Sequence, residues 1–143
     1  LCTSLKTLNL SNFNTSNVID MSYMFCYCNS LKKLKMNFDT KNVKNMSHMF
    51  EYCKSIDYLE IYNFNTNNVI DMSYMFYGCS LLKELEISKF NFSGVENINS
   101  MFSKCSDELK IKIHALYPDI GLEAFDEDDE LFIDYDFPSI YYS

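Results

Sequence analysis

Five cysteines, Cys2, Cys28, Cys53, Cys79 and Cys105, recur at intervals of 26, 25, 26 and 26 residues, and the residues between them recur too. A period of this size constrains the fold more than any local propensity does. Each unit is one supersecondary element that cannot bury its apolar face alone. Stacked in register, the units set Leu over Leu, Phe over Phe and Cys over Cys, which makes the core continuous. The second unit is one residue short before Phe38, and in the fourth Asn91-Phe92-Ser93-Gly94 replaces the N-T-x-N stretch.

Each unit holds two shorter periodicities. Leu8-Asn9-Leu10, Leu34-Lys35-Met36, Leu59-Glu60-Ile61 and Leu85-Glu86-Ile87 alternate as a short strand with one buried face does. Ile111-Lys112-Ile113 follows Cys105 at the same offset and reads as a fifth strand. Next, Asn17, Asn42, Asn68 or Gly94 stands where a helix N-cap would, ahead of V-x-x-M-x-x-M-F-x-x-C. Val69, Met72, Met75, Phe76 and Cys79 then share one face of a helix of roughly three turns.

The whole pattern, M-F-x-x-C-x-x-L-x-x-L-x-L-S-x-F-x-T-x-x-V-x-x-M, resembles the BspA-like class of leucine-rich repeat. It covers residues 1–105 well and 106–114 loosely. The resemblance implies an α/β fold: a right-handed solenoid with short parallel strands and one short helix per repeat. It also implies an extracellular or cell-surface role in adhesion or protein recognition, with no catalytic residues; the alternatives are a structural subunit packed within a larger assembly and a cytoplasmic interaction scaffold. The expected organisation is a repeat solenoid over 1–114, with about four repeats and a fifth strand, then an acidic cap or tail over 115–143.

Charge sharpens that division. Residues 1–117 hold all twelve Lys against eleven acids, while 118–143 hold nine acids and no Lys, and Arg is absent. A near-neutral body with an acidic tail argues against nucleic acid as partner. No run of eighteen apolar residues is present to insert in a membrane. The chain begins at Leu1-Cys2 without Met or a leader, which reads as a fragment of something longer, with an open N-terminal end suited to self-association.

Chemistry-bearing motifs are sparse. Cysteines once per repeat do not form the close pairs that zinc favours, so no metal is expected and the ladder reads as buried thiols. Cys26 aligns with Glu51, Tyr77 and Ser103 and reads as exposed. His48 and His114 have no partner at a catalytic spacing, and no cofactor is expected. The outer face would carry Tyr23, His48 and Tyr74, with Tyr27, Tyr52 and Tyr77 beside the Cys ladder.

The exposed strand positions form three columns: Thr7, Lys33, Tyr58, Glu84, Lys110; then Asn9, Lys35, Glu60, Glu86, Lys112; then Ser11, Asn37, Tyr62, Ser88, His114. One reading is cross-strand pairing, Lys35 with Glu60 and Glu86 with Lys112. The other is a recognition face for a protein or glycan ligand, with Tyr58 and Tyr62 as anchors. The candidate residues are Lys33, Lys35, Tyr58, Glu60, Tyr62, Glu84, Glu86, Lys110 and Lys112. Beyond them, Pro118 opens a short helix towards Phe125, and Asp126–Phe137 reads either as a cap with strand-like alternation or as an acidic interaction tail.

Overall fold

A computed structural model describes residues 2–125. The strand segments form where the alternation places them: β1 (Thr7–Leu10), β2 (Lys33–Met36), β3 (Tyr58–Leu59) and β4 (Glu84–Leu85). Parallel pairing joins β1 to β2 with Thr7 opposite Lys33, and β3 to β4 with Tyr58 opposite Glu84. Among the described residues β2 and β3 share no ladder, so the strand side consists of two two-stranded sheets. The break lies at the unit that is one residue short, where Met36 and Phe38 stand two apart while Ile61 and Phe64 stand three apart.

The helix expected in each repeat does not form. Its residues run through successive turns, paired repeat to repeat by parallel bridges Asp20–Asn45, Asn45–Asp71 and Asp71–Asn97. The amides of Met21, Tyr23, Phe25 and Tyr27 donate to the carbonyls of Asn45, Ser47, Met49 and Glu51 in the next repeat. Amides committed across the stack cannot close the i→i−4 bonds of a helix. The intervening turns close at i→i−3, as from Cys26 to Tyr23 and from Cys28 to Phe25. Tyr23, Tyr27, His48, Tyr52, Tyr74, Ser100 and Lys104 take left-handed backbone conformations, with φ between 53° and 60°. Non-glycine residues persist there only where surrounding bonds over-determine them.

Gly78 occupies the position equivalent to Tyr27, Tyr52 and Lys104 at φ 71°, and a larger residue here would have to displace the Tyr52 ring. A Cβ would lie 2.6 Å from Cδ1 of Tyr52.

The expected N-caps also do other work. Asn42 Nδ2 donates to the Ser16 carbonyl at 2.7 Å and Asn68 Nδ2 to that of Lys41 at 2.6 Å, each stitching one repeat to the previous one. Buried Thr40 and Thr66 add a second seam. Thr40 Oγ1 donates to the Asn65 carbonyl at 3.0 Å and accepts from the Asn65 amide at 2.7 Å. Thr66 repeats this arrangement on Asn91 at 3.3 and 2.8 Å.

Inside these seams runs the core. Phe25, Phe50, Phe76, Phe102 and Phe125 stack in one column, with ring centroids 5.4, 5.6, 5.7 and 5.8 Å apart. Cys28, Cys53, Cys79 and Cys105 are buried beside it. Cys53, Cys79 and Cys105 each donate Sγ–H to the Phe carbonyl of the preceding repeat, at 3.1 to 3.2 Å.

The fifth strand is overturned. Ile111-Lys112-Ile113 lies inside α1 (Asp107–Leu116), so the boundary placed at residue 114 falls within a helix. Ser106 caps α1 by accepting the Leu109 amide at 3.2 Å, and Asp107 and Glu108 follow in its first turn. Acids there complement the helix N-terminus, which favours helix over strand.

The helix expected from Pro118 reduces to a 3-10 turn, Leu122–Ala124. That turn takes the place of a further repeat: the Ser100 and Phe102 amides donate to the carbonyls of Glu123 and Ala124, at 2.6 and 2.7 Å. Phe125 completes the aromatic column. The cap or tail expected over Asp126–Phe137 lies outside the described residues.

Candidate ligand-binding face

The strand side carries the exposed columns. Tyr58 and Tyr62 retain 48% and 55% of their surface above Leu59 and Ile61, which are buried. At Tyr58 and Leu59 strand alternation causes this, because successive side chains point to opposite faces, while Tyr62 stands in the turn that follows. A groove of about 600 Å³ lies on one side of Tyr58, lined by Lys32, Lys33 and Lys35 from one repeat and by Asp57, Glu60 and Leu81 across it. A second groove of about 460 Å³ lies on the other side, between Tyr58, Tyr62, Glu84 and Glu86 and the α1 residues Lys112 and Leu116.

Of the nine residues read as a face, seven lie on the strand side as expected. Lys112 reaches the second groove from α1 rather than from a strand. Lys110 does not reach the face; it is 1% exposed, turned inward by the helical period. The expected cross-strand ion pairs are absent among the described residues. Lys112 instead pairs with Glu108 at 2.8 Å, one helical turn away. Their contact holds the Glu108 carboxyl below and the Lys112 ammonium above their ordinary values. Glu86 accepts from the Ser88 amide at 2.9 Å, and hydrogen bonding from Ser88 lowers its carboxyl pKa. Among the described residues Lys35 and Glu60 are left with no ion pair, because β2 and β3 do not pair.

The opposite side corrects the reading of His48. Its ring stacks between those of Tyr23 and Tyr74 at 4.4 and 4.8 Å, and Nδ1 lies 2.8 Å from Glu51 Oε2. The same Glu51 oxygen accepts from Cys26 Sγ at 3.3 Å, so Cys26 is half-buried and bonded rather than exposed. The signal was available: Cys26 and Glu51 share one repeat position, and His48 precedes Glu51 by three. Burial, reinforced by Glu51, pushes the Cys26 thiol up to about 12. A thiol held protonated is a poor nucleophile.

Burial also raises Cys53 to about 12, from an ordinary value of 9.0. The folded chain then holds this proton more tightly than the unfolded one. Its contribution is complete below about pH 9 and is lost as pH rises towards 12. The urea midpoint should therefore fall between about pH 8 and about pH 10.5, less steeply in Cys53→Ala. An equal fall in the variant would exclude this thiol as a source.

Among the described residues no group of three His, Cys, Asp or Glu is placed to hold a metal ion. No described helix is long and apolar enough to cross a membrane. No curated protein matches the chain, and no solved structure does. Residues 2–114, most of the chain, match the family described as "Mycoplasma protein of unknown function, DUF285", and the chain belongs to that family.

Proposed function

We propose that this chain is a non-enzymatic binding scaffold, a right-handed solenoid of the BspA-like leucine-rich-repeat class. It recognises protein or glycan ligands through its strand face, displayed at a cell surface. The observation that carries this reading is the placement of Tyr58 and Tyr62. Two large amphipathic rings stand exposed beside buried Leu59 and Ile61, Tyr58 between two grooves and Tyr62 along the second. Tyrosine offers wide contact area at low entropic cost and is enriched at binding hot spots. The scaffold reading draws further support from the polar seams, where recurring Asn and Thr side chains are spent on joining repeats.

The test is binding to arrays of purified proteins and of glycans by the wild-type chain and by Tyr58→Ala/Tyr62→Ala. The double variant should lose the wild-type hits while keeping its circular dichroism spectrum and melting temperature, since both side chains are exposed. Retained hits would move the site off this face, and an absence of hits for the wild type on both arrays would sink the reading.

A further inference from the structure

We infer that the strand face is self-complementary and that its partner is a second copy of this chain, docked antiparallel. This rests on the strand face being the interaction surface. Along the stack one column reads Lys33, Tyr58, Glu84, a row running from positive through aromatic to negative; Tyr58 and Glu84 are register partners. The neighbouring column reads Lys35, Glu60, Glu86. Among the described residues none of these five charged groups forms an ion pair, whereas Lys41 pairs with Asp39, His48 with Glu51 and Lys112 with Glu108.

A polarised row is complementary to its own reverse. A two-fold axis along the strand direction through β3 turns a second copy end for end and keeps each column facing itself. Lys33 then opposes Glu84 of the other copy, Lys35 opposes Glu86, both contacts occur twice, and the Tyr58 rings meet at the axis. Such an isologous contact closes after two copies. Glu60 would face its own equivalent, but it is flanked by Lys35 of its own chain and by Lys35 of the second copy.

Shape follows the same order. The lysine ridge of β2 lies over the groove edged by Glu84 and Glu86, where Lys112 is already neutralised by Glu108. The glutamate ridge of β4 lies over the groove lined by Lys32, Lys33 and Lys35. The face spans only the residues of β2, β3 and β4, which makes a small contact and a weak, salt-sensitive dimer.

Sedimentation velocity of the full chain across a concentration series tests this at about 50 and about 500 mM NaCl, where screening lengths differ severalfold. The expected result is a monomer–dimer equilibrium that weakens roughly tenfold at the higher salt. Lys33→Glu/Lys35→Glu and Glu84→Lys/Glu86→Lys should each be monomeric alone, and mixing the two should restore a dimer, because their faces are then of opposite sign at every one of these positions but Glu60. A wild type that stays monomeric at every concentration, or a mixture that stays monomeric, overturns the inference. A monomer that still loses its array hits in Tyr58→Ala/Tyr62→Ala would separate the two claims: the face would stand and the second copy would not.

Discussion

Phe76→Ala is expected to lower the unfolding free energy by about 3–5 kcal/mol, the range for removing a buried aromatic ring. Phe76 is fully buried and sits between Phe50 and Phe102, at centroid distances of 5.6 and 5.7 Å. Its neighbours are held by bonds between repeats: the Phe76 amide donates to Met101, and the Phe50 amide to Met75. The column cannot slide to fill the gap without breaking that ladder, so the cavity stays open. Stability in stacked repeats is approximately a sum of unit and nearest-neighbour terms, and this truncation removes two ring contacts at once. Urea unfolding measures the difference from the wild type, and a loss below about 1 kcal/mol for Phe76→Ala would show that the column is not the spine of the fold.

Thr40→Val is expected to cost about 1–3 kcal/mol although the two side chains are nearly the same shape. Its hydroxyl serves both polar groups of Asn65, donating to the carbonyl at 3.0 Å and accepting from the amide at 2.7 Å. Thr40 is 1% exposed, so water cannot easily replace the lost hydroxyl. Each hydrogen bond contributes about 0.5–1.5 kcal/mol, and the substitution removes two. Thr40→Ser keeps the hydroxyl and should recover most of the loss. Equal melting temperatures for Thr40→Val and the wild type would mean that Asn65 finds other partners and that the seam is dispensable.

The recurring residues made the stacking and the buried set legible. Apolar side chains at constant positions in successive units can only be buried together, and the structure buries Leu34, Leu59, Phe50, Phe76, Cys28, Cys53, Cys79 and Cys105 accordingly, while Cys2, expected to be buried with them, is exposed. The strand segments were legible for a similar reason, because side chains that alternate with a period of two fall on two opposite faces only in extended chain.

Two readings failed at places where local pattern and tertiary demand disagree. The spacing of Met72, Met75, Phe76 and Cys79 suits a helix. It also suits turns whose alternate amides point along the stack, and periodicity alone does not separate the two. The fifth strand failed differently: Glu108 stands where Leu5, Leu31, Ile56 and Leu82 stand, and Ser106-Asp107-Glu108 is a helix start. That departure was readable and was outweighed by the offset from Cys105.

The candidate face was legible in part. Alternation put Tyr58, Glu60 and Tyr62 outside, but the columns assumed one continuous sheet and a fifth strand. The break between β2 and β3 opens the first groove and, among the described residues, leaves Lys35 and Glu60 with no ion pair. The helix turns Lys110 inward and carries Lys112 to the second groove. By itself the sequence determined which residues repeat and which of them must be hidden, since burial follows from side-chain chemistry at fixed spacing. Only the tertiary structure decided what the backbone does between those residues. An amide bonds either along its own segment or across to the next repeat, and that choice depends on a neighbour about 25 residues away.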